Sequence, residues 1–120
     1  MIEHLKSFPG NVLGFVCHGQ VTKQDYRTVL IPAVEKALKE HDKVRLYYET
    51  ASDFAGVEPS AVWEDTKVGM GHLLRWERFA VVTDEQWIVH TMKFFSFMIP
   101  GELRVFPTTE AAQAKQWIVA

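Results

Sequence analysis

Short runs of β-forming residues alternate along this chain with longer segments of helical periodicity, and this alternation most constrains the fold. The runs are VLGFVCH at 12–18, VRLYY at 44–48, RFAVV at 78–82 and LRVF at 103–106. Strands that alternate with helices at this spacing imply right-handed crossovers and a mainly parallel sheet. The sequence therefore predicts an α/β protein.

A further strand is predicted near the start of the chain. Residues 2–8 fit a short strand, and Pro9-Gly10-Asn11 fits a turn that would join it to residues 12–18 as a hairpin. The predicted order is ββαβαβαβα, a mostly parallel, mixed five-stranded sheet with flanking helices. With no repeat or linker, residues 1–120 are predicted to form a single domain, long enough to bury a core.

Capping residues set the predicted helix starts. Thr22 with Asp25 fits the start of an amphipathic helix over 23–40, which Pro32 should kink or divide. Pro59-Ser60 opens a second helix. A third is predicted over 85–98, capped by Thr83-Asp84 and stopped by Pro100-Gly101, and a fourth begins with Thr108 as its cap.

Composition excludes several classes of function. The net charge is −2 and the basic residues are scattered, so no nucleic-acid partner is expected. The single Cys17 lies in an apolar run and reads as a buried, inert thiol. The chain has no signal peptide at its start and no run of about 18 apolar residues, which predicts a cytoplasmic protein.

Catalytic and metal-binding patterns are also missing from the sequence. It contains no G-x-S-x-G elbow and no glycine loop placed to hold phosphate. Asp65 and His72 are seven residues apart, about 10 Å along a helix, which is too far for a shared ion. The sequence therefore predicts a non-enzymatic protein without a metal or cofactor.

The segment 85–98, EQWIVHTMKFFSFM, is unusually apolar for a helix on the surface of a small domain. At 100° per residue, one face collects Trp87, Phe94, Phe95 and Met98, with Ile88 beside them, and Phe97 lies about 80° off on the other side. The helix is about 21 Å long, too short to cross a membrane core of about 30 Å. Two interpretations remain open: burial on several sides, or contact with a ligand, a membrane or a second copy.

A second candidate region follows the strand 44–48, because ligands of parallel sheets collect beyond the carboxyl ends of the strands. There, Asp53 is expected to accept hydrogen bonds, while Phe54 and Trp63 are expected to wall an apolar cleft. The alternative is that Ser52 and Asp53 only form a loop turn.

An ordered series of segments carries a family resemblance that spans nearly the whole chain. The segments are GQVTKQDY (19–26), VRLYYE (44–49), DFAGV (53–57), AVWED (61–65), RFAVVTDEQW (78–87) and ELRVFP (102–107). Together they resemble the small bacterial SpoIIAA-like proteins of the STAS type. The resemblance implies a helix-flanked sheet related to anti-sigma-factor antagonists and to lipid-binding Sec14-type (CRAL-TRIO) domains.

The resemblance implies two different functions. In the antagonists, a phosphorylatable serine lies in an Asp-Ser-Ser-Gly-like motif after the third strand. Residues 50–56, TASDFAG, correspond to it here, with Ser52 nearby but Phe54 inside the motif. The SpoIIAA-like branch instead implies membrane association and binding of a small, partly apolar ligand.

The leading hypothesis is a non-enzymatic module that binds a small amphipathic ligand or associates with the inner face of the membrane. Helix 85–98 would be a movable lid, hinged at Thr83-Asp84 and Pro100-Gly101. The ligand-binding candidates are Asp53, Phe54, Trp63 and Trp87, and the membrane or partner contacts are Phe94, Phe95, Phe97 and Met98. The alternatives are a protein-interaction regulator phosphorylated at Ser52 and a homodimer formed through the phenylalanine face.

Overall fold

The structure, a computed structural model, describes residues 1–61, 73–97 and 99–120. Its central sheet has five strands in the order β1-β2-β4-β6-β7, and β3 pairs with β5 in a separate two-stranded sheet. The strands are β1 (Ile2–Leu5), β2 (Val12–Cys17), β3 (Gln20–Val21), β4 (Val44–Thr50), β5 (Gly56–Val57), β6 (Trp76–Val82) and β7 (Glu102–Phe106).

Strand directions confirm the predicted mixed sheet. β1 is antiparallel to β2 at one edge, and each remaining neighbouring pair in the five-stranded sheet is parallel. The strands follow the predicted β-branched and aromatic runs, which fit a pleated and buried surface. β6 begins at Trp76, two residues earlier than expected, and its register with β4 shifts at Glu77, between the Val44–Trp76 and Arg45–Arg78 pairs.

Helix α1 spans 23–40 and begins as predicted. Thr22 Oγ1 accepts a hydrogen bond from the Asp25 amide at 3.2 Å, and Asp25 Oδ2 accepts one from the Thr22 amide at 2.8 Å. The helix is divided ahead of Pro32 by a π-helical turn over Tyr26–Leu30, and the α-helix Ile31–Glu40 follows. This turn accommodates a proline that can donate no backbone hydrogen bond.

Two further helices are described in full, α2 (Gln86–Phe95) and α3 (Ala111–Val119). Short 3₁₀ turns lie at Leu73–Arg75 and Thr108–Glu110, and residues 59–61 are helical as the sequence predicts. The remainder of the helix predicted from Pro59 lies outside the described residues. Helix α2 ends at Phe95, shorter than the predicted 85–98, and residues 96–97 form a turn.

Two predicted helix caps are wrong. Thr108 does not cap α3, because its amide and its hydroxyl both donate to the Asp84 carboxylate, at 3.0 and 2.5 Å. Asp84 is therefore occupied by a distant segment and does not cap α2. The residue at the start of α2 is Glu85, whose amide donates to Thr83 Oγ1 at 3.1 Å.

The sheet separates two hydrophobic clusters. On one face, residues of α1 such as Leu30 and Val34 pack with Phe15 and Val44. On the other face, Ala114 and Ile118 of α3 pack with residues of β2, β4 and β6. The end of α3 is held by arginines on this second face: Arg45 donates to the Ile118 carbonyl and Arg78 to the Trp117 carbonyl, each at 2.9 Å.

Candidate functional site

Helix α2 buries only part of its apolar surface. Ile88 is buried and Phe95 is half-buried, but Trp87 is 48% exposed, Phe94 68% and Phe97, in the turn that follows, 92%. We call Trp87, Phe94 and Phe97 the aromatic surface. The sequence placed Phe95 with Trp87 and Phe94, whereas the structure turns Phe95 further toward the protein than Phe94, against whose ring it packs edge-on at 5.7 Å.

The position of α2 explains this division. It forms the crossover between β6 and the edge strand β7, and it contacts β7. A right-handed crossover in this direction places α2 on the same face of the sheet as α1. A helix at the edge of a sheet packs one stripe of side chains and leaves the opposite stripe in water. In α2 that outer stripe carries Trp87 and Phe94 together with the exposed polar residues Gln86, His90 and Lys93.

Both predicted hinges of α2 are held by contacts. The buried Thr83 donates its amide to the Phe106 carbonyl, and its hydroxyl accepts a hydrogen bond from Thr50 Oγ1 at 2.8 Å. At the other end, Gly101 lies against the backbone of β6, where any Cβ would collide with the carbonyl oxygens of Glu77 and Trp76. These contacts favour a docked helix with an outward-facing aromatic surface.

A cleft of about 300 Å³ lies at the amino ends of β6 and β7, and is lined by Lys43, Leu74, Trp76, Glu77, Pro100, Gly101 and Glu102. It is therefore at the opposite end of the sheet from Asp53 and Phe54, where the sequence predicted a ligand. Leu74 on its wall is 73% exposed.

Three polar side chains meet at the carboxyl ends of β2 and β4. His18 follows β2, and its Nε2 lies 3.0 Å from Glu3 Oε1 of β1. Its Nδ1 lies 3.3 Å from Asp53 Oδ1, in the loop after β4. Hydrogen bonding to Glu3, and secondarily to Asp53, raises the pKa of His18 above its ordinary value. We call Glu3, His18 and Asp53 the histidine clasp.

The remaining predicted site residues are separated. Ser52 is exposed in the turn beside Asp53, and Phe54 packs partly buried against the α1-side cluster. Trp87 lies in α2, the helix that follows β6, whereas Asp53 and Phe54 lie in the loop after β4. Trp63 and Met98, and the Asp65–His72 pair considered as metal ligands, lie outside the described residues.

The sequence analysis missed His18 and Glu3, although a usable signal was present. His18 immediately follows one parallel strand and Asp53 follows its neighbour by a short loop, so both lie at the same edge of the sheet. The predicted antiparallel hairpin then brings Glu3 of β1 to the same edge. Leu74, which lines the cleft at the amino ends of β6 and β7, was not predicted either, because no periodic pattern in the sequence includes it.

Within the parts of the chain that the structure describes, no group of three histidine, cysteine or acidic side chains is arranged to hold a metal ion. In the same parts, none of the helices has both the length and the apolar character needed to span a bilayer.

The architecture is that of a helix-flanked mixed sheet with an antiparallel edge hairpin, and the comparisons with known proteins agree. A protein-family model, SpoIIAA-like, matches residues 12–119. The chain belongs to the SpoIIAA-like family. The match confirms the resemblance recognised from the sequence.

A solved structure shows the same fold. It is an uncharacterized protein from the DUF3478 family with a SpoIIAA-like fold, from Shewanella loihica PV-4, determined by crystallography. The two chains are 22% identical, with a TM-score of 0.75 over 98% of this chain and 92% of that one. No curated protein matches the chain.

Proposed function

We propose that this protein is a non-enzymatic module that associates reversibly with a membrane surface through the aromatic surface of α2. The observation that carries the proposal is the exposure of Trp87 and Phe94 on α2, whose Ile88 is buried, and of Phe97 in the turn that follows. Tryptophan is enriched at membrane interfaces because its ring is apolar and its N–H still finds a polar partner.

The exposed area supports a bilayer over a second copy of the chain. The three exposed fractions amount to about two complete aromatic side chains, or roughly 300–500 Å². A stable protein interface needs about 800 Å² from each partner, with matching shape. A bilayer requires no shape complementarity and accepts a small apolar surface.

The same area sets the strength of binding. Burying two large apolar side chains contributes roughly 3–6 kcal/mol, which corresponds to dissociation constants from millimolar to tens of micromolar. Lys93, exposed in the last turn of α2, adds attraction to anionic lipids of about 1 kcal/mol. Binding is therefore expected to be weak, reversible and modestly stronger on anionic vesicles.

Vesicle co-sedimentation tests the proposal, using phosphatidylcholine vesicles with and without phosphatidylglycerol. We expect the wild type to pellet with vesicles and the Phe94→Asp/Phe97→Asp variant to stay in the supernatant. Val119→Asp is the matched control, because Val119 is an exposed apolar residue on α3 and outside the aromatic surface. The control should pellet like the wild type.

Three results would contradict the proposal. One is a wild type that stays in the supernatant with both vesicle types. Another is a dimer in multi-angle light scattering that the double substitution dissociates, without vesicle binding, which would assign the surface to a second copy. The third is binding of a short-chain lipid as monomers but not as vesicles, which would indicate a site for a small amphipathic ligand.

A further inference from the structure

The histidine clasp joins three segments that are distant in sequence. Glu3 belongs to β1, His18 follows β2, and Asp53 lies in the loop that leaves β4. Backbone hydrogen bonds anchor the loop at both ends, from the Ala51 amide to the Cys17 carbonyl of β2 at 2.9 Å and from the Ala55 amide to the Gly19 carbonyl, just before β3, at 2.8 Å. The clasp is the side-chain link between this loop and β1.

The geometry of the clasp requires a particular protonation state. Both ring nitrogens of His18 face carboxylate oxygens, and an ionised carboxylate can only accept a hydrogen bond. An imidazolium has two N–H donors and satisfies both carboxylates, whereas a neutral imidazole has one. A neutral ring would therefore turn a lone pair toward one of the two carboxylates.

The shorter contact indicates which of the two carboxylates a neutral His18 keeps as its hydrogen-bond partner and which one it loses. The Nε2–Glu3 distance is 3.0 Å and the Nδ1–Asp53 distance is 3.3 Å, so a neutral His18 is expected to keep its proton on Nε2, facing Glu3. Asp53 is then released, together with the loop that carries it. Because Glu3 sits in a strand and Asp53 in a turn, the loop is also the part that can move.

Another charged group near His18 is the Met1 ammonium. It donates to the His18 and Gln20 backbone carbonyls, at 2.8 and 3.0 Å, and forms an ion pair with Asp25 at 3.4 Å. Glu3 and Asp53 therefore face the ring from β1 and from the loop, and the ammonium binds the backbone below it. Two carboxylates on the ring outweigh one neighbouring cation that Asp25 already neutralises.

We propose that the histidine clasp is a pH-sensitive latch that closes the 51–55 loop onto β1 when His18 is protonated and releases it when His18 is neutral. This loop contains Ser52, Asp53 and Phe54 and lies at the edge of the sheet where parallel α/β folds bind ligands. The latch would therefore control access to that edge. It is independent of the aromatic surface and of the membrane proposal.

The direction of the pH dependence follows from linkage. The pKa of His18 in the folded protein is raised above the ordinary value of 6.5. The contribution of the clasp is therefore complete below pH 6.5, and it is lost as the pH rises through the folded-state pKa. Because the clasp residues are partly exposed, added salt should weaken the effect.

The first experiment is an NMR titration of the His18 ring. We expect a pKa above 6.5 in the wild type, and a lower pKa in both Glu3→Gln and Asp53→Asn, because each substitution removes one charged acceptor. Glu40→Gln, at the end of α1, is the control and should leave the His18 pKa unchanged. A wild-type His18 that titrates at or below 6.5 would overturn the proposal.

The second experiment follows the loop itself by amide hydrogen exchange, corrected for the intrinsic pH dependence of exchange. We expect the protection of the Ala55 amide to fall by about 1.5- to 5-fold as the pH rises through the His18 pKa, the size typical of exposed ion pairs. In Asp53→Asn, protection should be low at all pH values. Protection that is constant through the His18 titration in the wild type would show that the clasp does not control the loop.

The two proposals fail separately. The Phe94→Asp/Phe97→Asp variant should retain the pH dependence of the loop, and Asp53→Asn should retain vesicle binding at a fixed pH. A wild type that does not bind vesicles but whose loop responds to pH would refute only the membrane proposal. A wild type that binds vesicles, but in which the protection of the Ala55 amide does not change through the His18 titration, would refute only the latch.

Discussion

At the scale of single residues, Asp84 shows how a distant segment can capture a side chain that local sequence assigns elsewhere. Thr83-Asp84 before an apolar helix is typical of a cap, yet Asp84 binds the hydroxyl and amide of Thr108. These two hydrogen bonds hold the pKa of Asp84 below its usual range. Its local sequence gives no sign of this, because Thr108 is 24 residues away.

Gly101 is another residue whose role depends on a distant segment. The sequence suggested a helix stop and a hinge, but the structure presses the Cα of Gly101 against the backbone carbonyls of Trp76 and Glu77. A backbone carbonyl in a sheet cannot move aside as a flexible side chain can. The glycine therefore permits a close approach between the segment after α2 and β6.

We predict that Gly101→Ala destabilises the protein by about 1–3 kcal/mol, because the new methyl group overpacks a rigid contact. Urea denaturation followed by circular dichroism measures the change. Pro100→Ala is the neighbouring control, since Pro100 is exposed, and it should change stability by less than about 0.5 kcal/mol. Equal stability of Gly101→Ala and the wild type would refute the close approach.

At the scale of elements, α2 buries Ile88 and exposes Trp87 and Phe94 on its outer side. The sequence predicted the helix, its apolar excess and its end before Pro100. It could not decide which stripe faces the sheet, because apolar residues surround most of the helix and periodicity then has no preferred direction. That choice depends on the edge position of β7 and on the handedness of the crossover.

We predict that two alanine substitutions in α2 differ strongly in their effect on stability. Ile88→Ala should cost about 2–5 kcal/mol because it opens a cavity under the helix. Phe94→Ala should change stability by no more than about 0.5 kcal/mol, although the deleted side chain is larger, because its ring is mostly in water. Thermal and urea denaturation would measure both, and a larger loss for Phe94→Ala would mean that the helix is docked by its other stripe.

At the scale of the whole molecule, one sheet supports two hydrophobic clusters, one under α1 and the other under α3. β2 and β4 contribute side chains to both clusters, since neighbouring residues of a strand point to opposite faces. Tyr47 and Val44 of β4, for example, belong to different clusters. Neither cluster can therefore be lost without disturbing the strands that form the other.

We predict that the chain unfolds in one cooperative transition, as the single-domain interpretation of residues 1–120 requires. Leu38→Ala on the α1 side and Ile118→Ala on the α3 side should each lower stability by about 2–5 kcal/mol. Within each variant, far-ultraviolet circular dichroism and tryptophan fluorescence should report the same midpoint of unfolding. Two separated transitions, or probes that disagree, would show that the two faces unfold independently.

The sequence by itself determined the five strands of the central sheet, the Thr22 cap, the division of α1 near Pro32 and the family, since these depend on neighbouring residues or on an ordered series of segments. Tertiary structure decided the clasp of Glu3, His18 and Asp53, the partner of Asp84 and the outward stripe of α2. The physical reason is the same in each case. Contacts between segments depend on strand order, direction and register, and one residue of register moves a side chain to the other face of the sheet.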